Sequence, residues 1–496
     1  MKIIYDMTRL VNRLDAHHPT GIDRVDINYL QHFKESSAYE LVGVIQSNGR
    51  LVKLESSKTS LICSQLYDAW CGGKPHDLNF LTRKKADILT TRVNFVRRGA
   101  YFENVSLIDP RLKLPSNSQS VTYFNSSHHG LLSADLFAEM KFRMRCKMVF
   151  FLHDLIPINF PEYVRAGDSE QHKQRILNIA DFADLVLVNS EATKGDYERF
   201  LLENRVSGAP AQTVYIGAED SFLKNESEKV SDSVNRVIKE GPYVLYIGTI
   251  EARKNHALLL QIWRDFMREG EPPGRLVIVG KRGWEAENVF SLLDRRNWKG
   301  YVIELFGVSD SEMIALLENC KGVLFPSFSE GWGMPLVEAL AKGKPAICSD
   351  IPVLREASSD CAHYIHPCDA IGWQREISRL FYDAHFEEHL VAKAAAFEAP
   401  RWSSAFNKVD NLLGNMSENI RSVRRPRSGS EFSGCKKEKD LIAVTSVNHS
   451  QSRFMTFVLS ERQHRKIEKF RKSPVRFLRD SRIPLLKSLG NFLARG

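Results

Sequence analysis

The 496-residue chain lacks any apolar run near the ~20 residues a bilayer-crossing helix needs, so its sequence offers no membrane span. Patterned cysteine is also missing. Eight cysteines are scattered at 63, 71, 146, 320, 348, 361, 368 and 435, with no Cys-x-x-Cys pair and no Cys/His ligand spacing. This excludes a disulfide framework and a structural zinc site, and fits unpaired thiols in a reducing compartment. No short period repeats along the chain, which argues against a solenoid. The first residues, MKIIYDMTRL, place Asp6 and Arg9 where a signal peptide would need its apolar stretch, so a cytoplasmic protein is expected. What is present is ordinary for a globular protein, 43% hydrophobic and 26% charged, at a length that predicts two or three domains. The net charge of +9 is unevenly spread: residues 417–496 carry 19 Lys+Arg against 7 Asp+Glu, and the rest holds 50 against 53. A near-neutral body carries a basic tail.

Strand-like runs alternate with amphipathic helical stretches, which predicts an α/β protein built on parallel sheets. In the first half the strand candidates are Lys2–Tyr5, Tyr39–Ile45, Val121–Phe124, Met148–Leu152, Leu185–Val188 and Thr213–Ile216, with helices at Gly21–Phe33 and Glu191–Leu202. Residues 48–118 show no assignable pattern. After the polar segment Lys224–Glu240 come strands at Tyr243–Ile247, Arg275–Val279, Tyr301–Phe306, Gly322–Phe325 and Pro345–Cys348, with helices at Asn255–Arg268, Ser309–Leu317 and Pro335–Ala341. The pattern predicts two Rossmann-like domains, 1–235 and 236–400, with a ligand cleft between the carboxyl ends of their strands. A helix at 401–416 and the tail at 417–496 follow.

The densest chemistry lies in Ser327–Lys342, SFSEGWGMPLVEALAK. A buried strand runs into a Gly331-Trp332-Gly333 loop, and Pro335 opens a helix at its first turn, where a missing N–H costs nothing. The free N–H groups of that helix face the strand end and suit a phosphate. Glu330 stands in the loop and Glu338 one turn inside the helix. Carboxylates beside an anion-binding helix end suit a ligand with hydroxyls and a phosphate, as in a nucleotide sugar. A loop carboxylate plus a solvated helix carboxylate is the plain alternative for that spacing alone.

The whole string resembles the donor-site signature of glycosyltransferase family 4, the retaining GT-B enzymes: Glu-Gly-aromatic-Gly-x-Pro-x-x-Glu-Ala. The resemblance covers about residues 1–415 and is strongest over 243–357. It implies a GT-B fold, with two Rossmann-like domains facing across a cleft, and a helix that crosses back to the first domain. It places Glu330 on the sugar hydroxyls and Glu338 on the ribose, with Gly331, Trp332 and Gly333 lining the donor. Tyr246-Ile247-Gly248-Thr249-Ile250-Glu251-Ala252-Arg253-Lys254-Asn255 resembles the family's diphosphate-binding turn. It assigns Arg253 and Lys254 to the phosphates, although Thr249 stands where many relatives have arginine. A basic pair at a helix start is the plain alternative, disfavoured because cations are unfavourable at a helix N-terminus. Gly280-Lys281 and Phe306-Gly307-Val308 match nucleobase-side loops, where the backbone near Lys281 and Val308 flanks the base; strand-terminal glycine turns would look the same. Ser349–Glu356 also follows the family pattern and is assigned to structure.

In the first half, Gly21 opens a helix after strand one, letting backbone N–H groups approach the ligand. Phe151-Leu152-His153-Asp154 resembles the family's acceptor-side His-Asp motif, with His153 near the transferred sugar and Asp154 orienting or deprotonating the incoming hydroxyl. A polar pair capping a turn is the alternative. Residues 48–118 are then a candidate insertion on the acceptor side. The resemblance implies front-face retention without a side-chain nucleophile, no cofactor and no metal. The chain also has no Asp-x-Asp pair.

In the tail, Arg421–Ser433 reads as a linker. The Lys469–Ser481 pattern Lys-Phe-x-x-x-Pro-x-x-Phe-x-x-Asp-Ser resembles a segment at the ends of bacterial capsule and surface-polysaccharide transferases. Its Phe and Leu residues among Lys and Arg suit an anionic membrane surface or an assembly partner; no nucleic-acid module accompanies them. The expectation is a peripheral enzyme at the inner face of the cytoplasmic membrane. It would move a hexose, mannose or rhamnose, from a nucleotide sugar to a growing, lipid-linked glycan. A nucleotide-sugar epimerase of the same fold and an inactive assembly scaffold are the alternatives.

Overall fold

The computed structural model describes residues 1–16, 18–47, 49–72, 107–109, 112, 120–223 and 230–418. Expectations for the basic tail beyond 418, and for 73–106 in the unassigned stretch, lie outside the described residues. Among the described residues, thirteen strands form two sheets.

The first sheet is ordered β3-β2-β1-β4-β5-β6-β7: β1 Lys2–Asp6, β2 Glu40–Ser47, β3 Arg50–Lys53, β4 Val121–Asn125, β5 Lys147–Leu152, β6 Leu185–Val188 and β7 Ala211–Thr213. All neighbours are parallel except β2 and β3. Side chains alternate between its two faces. Tyr5, Phe124, Val149, Phe151 and Leu187 enter one core, and Ile4, Tyr123, Phe150 and Val186 the other. Burial on both faces explains why these strands read as continuous apolar runs.

The second sheet, all parallel, is ordered β10-β9-β8-β11-β12-β13: β8 Tyr243–Ile247, β9 Arg275–Val279, β10 Val302–Leu305, β11 Gly322–Phe325, β12 Ala346–Ser349 and β13 His363–Ile365. This α/β architecture of two Rossmann-like domains is the GT-B fold.

The chain passes between the domains at two adjacent points, where the Ala218 N–H donates to the Pro400 carbonyl at 2.8 Å. The Trp402–Glu418 helix then lies on the first domain. Trp402, Ala405, Val409 and Leu413 recur at helical spacing and join its core. Asp410 accepts from Tyr39 Oη at 2.7 Å and pairs with His32 at 2.8 Å.

Two expectations are corrected. Thr213–Ile216 is not the strand; β7 is Ala211–Thr213. Val214 and Ile216 are buried all the same, because the chain there turns under Trp402 toward the crossing: a Cβ on Gly217 would stand 2.2 Å from the Trp402 nitrogen. Apolar pattern reports burial, not pairing. The stretch after 48 is not wholly irregular. It opens with the antiparallel edge strand β3 and the Ser56–Trp70 helix, tied to the Gly21–Glu35 helix by Lys34 Nζ donating to Ser64 Oγ at 2.6 Å. The three-residue edge strand β13 also escapes the sequence pattern.

Candidate active site

Strands β8 and β11 are neighbours, so the loops leaving their carboxyl ends meet. Gly248 follows β8 with φ +155, a conformation that favours glycine, and lies beside the Lys254 stem, whose Nζ would be 3.8 Å from a Cβ there. Residues Ala252–Lys254 form one 3-10 turn, and Asn255 in left-handed conformation starts the His256–Glu269 helix. The Asn255 amide donates to the carbonyls of Pro326 (3.1 Å) and Pro367 (3.0 Å), fixing the turn against the β11 loop.

On this frame Glu330 becomes the centre of a buried charge cluster. Its carboxylate accepts from Lys254 Nζ, from Arg253 Nη1 at 2.9 Å and from Ser327 Oγ at 2.7 Å. Arg253 also pairs with Glu251 at 2.7 Å and donates to the Ser329 carbonyl at 2.8 Å. Burial acts to raise the Glu330 carboxyl, but Lys254 and Arg253 outweigh it and hold the group at about 2. Lys254 is shifted down by burial, which Glu330 opposes. Arg253 and Lys254, the residues expected to meet the phosphates, are both paired to Glu330.

The Met334–Ala341 helix begins after Gly333, which caps it at φ +101, and Pro335 sits in its first turn. Glu338 lies inside this helix. Its carboxylate meets Arg24 Nη1 at 3.2 Å, and Arg24 Nη2 donates to Asp310 at 2.7 Å. Burial pushes the Glu338 carboxyl up to about 8, with Arg24 opposing and Asp310 and Glu219 adding to the rise. The two motif glutamates therefore do not share partners.

From the first domain, Gly21 is the first residue of the Gly21–Glu35 helix, whose start is closed by a Thr20–Asp23 capping box. A Cβ on Gly21 would lie 3.1 Å from Met334 Sδ, so the two helix starts abut across the cleft. His153 is buried, and its Nε2–H donates to the Ser126 carbonyl at 2.7 Å, leaving Nδ1 as the acceptor. Burial, opposed by the Ser126 contact and Asp154, drops the imidazole to about 4, so it is neutral across the physiological range. Asp154 Oδ1 accepts from the Ile156 N–H at 3.1 Å, so it does cap a turn. It also lines, together with Glu330, a cavity of about 630 Å³ between the domains, bordered by Phe160, Phe200, Phe328 and Val353. A Cβ on Gly331 would lie 2.7 Å from the His153 carbonyl. That contact brings the Glu330 loop against the His153-Asp154 pair.

The remaining expected residues divide. Gly280 is required by packing, since a Cβ there would stand 1.9 Å from the Gly248 carbonyl. Lys281 is exposed, and its carbonyl accepts from the Ile250 N–H at 2.9 Å. Val308 packs against the second domain's core. Trp332, expected at the donor, has its side chain packed elsewhere than the Glu330 cluster. The indole is buried in the first domain's core and stacks on Tyr215 at 5.1 Å, because the loop crosses an apolar surface of the opposite domain. Glu356, assigned to structure, accepts from the Glu191 (2.6 Å) and Ala192 (3.1 Å) N–H groups, capping a first-domain helix from the second domain.

Sequence reasoning missed Arg24, His128 and His172. His128 Nε2 accepts from the His153 N–H at 3.3 Å, and His172 Nε2 donates to the Asp154 carbonyl at 3.0 Å. The His128 ring lies 5.2 Å from His153 and 5.0 Å from His172. Imidazoles from two separate segments thus hold the backbone of the His-Asp pair. Among the described residues no group of three or more His, Cys, Asp or Glu is placed to hold a metal ion.

Set beside known proteins, residues 228–397 match the model of glycosyl transferases group 1. The matched segment carries Arg253, Lys254, Glu330 and Glu338. The chain is 30% identical over 226 residues to the serotype-specific mannosyltransferase WbdA of Escherichia coli, covering 43% of this chain and 27% of that one. It is 28% identical over 251 residues to the O-antigen chain mannosyltransferase B of Escherichia coli, covering 50% and 65%. The chain thus spans between about a quarter and two thirds of these relatives' lengths. The fold is similar to that of Anabaena Alr3699/HepE, whose crystal structure holds UDP and glucose. The TM-score is 0.54 at 15% identity, over 84% of this chain and all of that one.

Proposed function

We propose that this chain is a retaining glycosyltransferase that moves a hexose, mannose or rhamnose, from a nucleotide sugar to a growing bacterial surface polysaccharide. The observation that carries the reading is the meeting of the Arg253–Lys254–Glu330 cluster with His153-Asp154 through the bare backbone of Gly331. Mannosyltransferase relatives of O-antigen synthesis support the substrate class.

In this reading Lys254, which spends one of its three N–H donors on Glu330, turns the others to the leaving diphosphate, with Arg253 adding positive charge. Glu330, held ionised, accepts from the sugar hydroxyls. Glu338 takes the ribose. His153 accepts a sugar hydroxyl at Nδ1, and Asp154 orients the acceptor hydroxyl in the cavity it shares with Glu330. The acceptor proton passes to the leaving diphosphate on the same face, so the anomeric configuration is kept. No side chain acts as nucleophile, and the two cations take the role a metal would have.

The acceptor is proposed to be lipid-linked, and the basic 417–496 segment to hold the enzyme at the inner face of the membrane or on an assembly partner. Among the described residues no helix is long and apolar enough to cross a membrane. Sedimentation with anionic vesicles at low and high salt, full chain against 1–416, tests the attachment. Nucleotide-sugar consumption with and without glycan acceptor tests the function. Turnover to a new glycosidic product supports transfer; interconversion of the donor alone would indicate an epimerase, and donor binding with no turnover an assembly scaffold.

A further inference from the structure

Arg24 lies on the Gly21–Glu35 helix of the first domain, yet its fork is spent on the second: Nη1 on Glu338 at 3.2 Å and Nη2 on Asp310 at 2.7 Å. Its side chain is only 12% exposed and that of Glu338 10%. Asp310 is the first residue of the Asp310–Asn319 helix, in the loop after β10 that also carries Val308. A third carboxylate, Glu219, stands at the interdomain crossing, held by Asn28 Nδ2 at 3.0 Å and Trp402 Nε1 at 3.3 Å. Two domains therefore converge on one guanidinium.

The geometry points to Arg24 as a positioning residue for the nucleoside end of the donor site: reaching across the cleft, it orients Glu338 and ties it to the start of the Asp310–Asn319 helix. This rests on the reading of Glu338 as the ribose carboxylate. A ribose hydroxyl donates more strongly to an ionised carboxylate than to a neutral carboxyl. The charged groups facing Glu338 are Arg24 from the Gly21–Glu35 helix, Asp310 from the Asp310–Asn319 helix and Glu219 from the crossing segment; the half-buried Cys71 thiol faces the same cluster. Two anions and one cation surround a buried carboxyl. Arg24 is the group that favours its ionised form, and Asp310 opposes it.

The test is calorimetric titration of the full chain with GDP, UDP and ADP, carrying the tightest binder through a series from about pH 6 to pH 9. Wild-type affinity should rise with pH as Glu338 ionises. Arg24→Ala should weaken binding about tenfold near neutrality and move the midpoint of the rise up by about one unit. Arg24→Lys should restore most of the midpoint, and Asp310→Asn should move it down. Glu338→Gln should flatten the profile. A merely structural arginine would change the melting temperature without moving the midpoint. An unmoved midpoint in Arg24→Ala, or in Asp310→Asn should the alanine variant not fold, overturns the inference while Glu338 keeps its role. Wild-type affinity at every pH in Glu338→Ala overturns the ribose assignment, and Arg24's role with it.

Discussion

The two glutamates of one sixteen-residue segment end in opposite electrostatic states. Glu330 is surrounded by cations of its own domain and held at about 2, whereas Glu338 is pushed by burial to about 8 and leans on an arginine from the other domain. Residue type and segment are the same, so the difference comes from partners. The β8 loop supplies two positive charges to the first; the second meets one guanidinium already shared with Asp310. In the proposed reading, the carboxylate that must stay charged beside a departing diphosphate is built into one domain, and the one that reads a neutral ribose depends on how the domains meet.

The largest effect expected from breaking this contrast is on the Glu330 side. Lys254→Ala removes a charge-assisted donor and should lower kcat/KM about 10²-fold or more, carried mainly by kcat. Glu338→Ala should instead weaken nucleoside diphosphate binding about tenfold, with little change in kcat once donor is saturating, because ribose hydroxyls gain no charge in the reaction. Comparable kcat losses in both variants would erase the distinction.

The contrast also has a sign in stability. Glu330 is lowered from 4.5 to about 2, so its contribution is present above 4.5 and is lost as pH falls through 2. Glu338 is raised from 4.5 to about 8, so the folded state holds its proton more tightly, and that contribution is lost as pH rises through 8. Urea midpoints followed across pH should therefore flatten between about pH 2 and 4.5 in Glu330→Gln and between 4.5 and about 8 in Glu338→Gln. The smallest effect expected is from excess chelator. With Arg253 and Lys254 proposed to face the diphosphate, transfer should continue at its full rate, and loss of activity restored by magnesium or manganese would take the phosphate role from those residues.

How much of this could be read from sequence depends on how far apart the partners lie. The donor strands and the Gly331–Glu338 loop-helix were legible because strand, glycines and proline are contiguous, and the chemistry follows their order. The pairing of Glu330 with Arg253 joins two motifs that were each visible, but the contact needed β8 and β11 to be neighbours. Arg24 was illegible: its partners stand 286 and 314 residues away, and nothing in Asp23-Arg24-Val25 distinguishes it from a solvated helix arginine. His128 and His172 escaped for a related reason, since each acts on backbone atoms of the His153-Asp154 pair and leaves no spacing signal. The stacking of Trp332 on Tyr215 of the opposite domain was equally illegible, because the two rings come from separate domains.

The proposed transfer of a sugar with retention rests on the cluster that meets His153-Asp154 across Gly331. The most direct measurement is proton NMR of the product formed from an α-linked nucleotide sugar and a glycan acceptor, followed from the first turnover in wild type and in Lys254→Ala. An α-linked product from the wild type, with formation at least about 10²-fold slower in the variant, is the result predicted. A β-linked product, or equal rates in the two proteins, would contradict it.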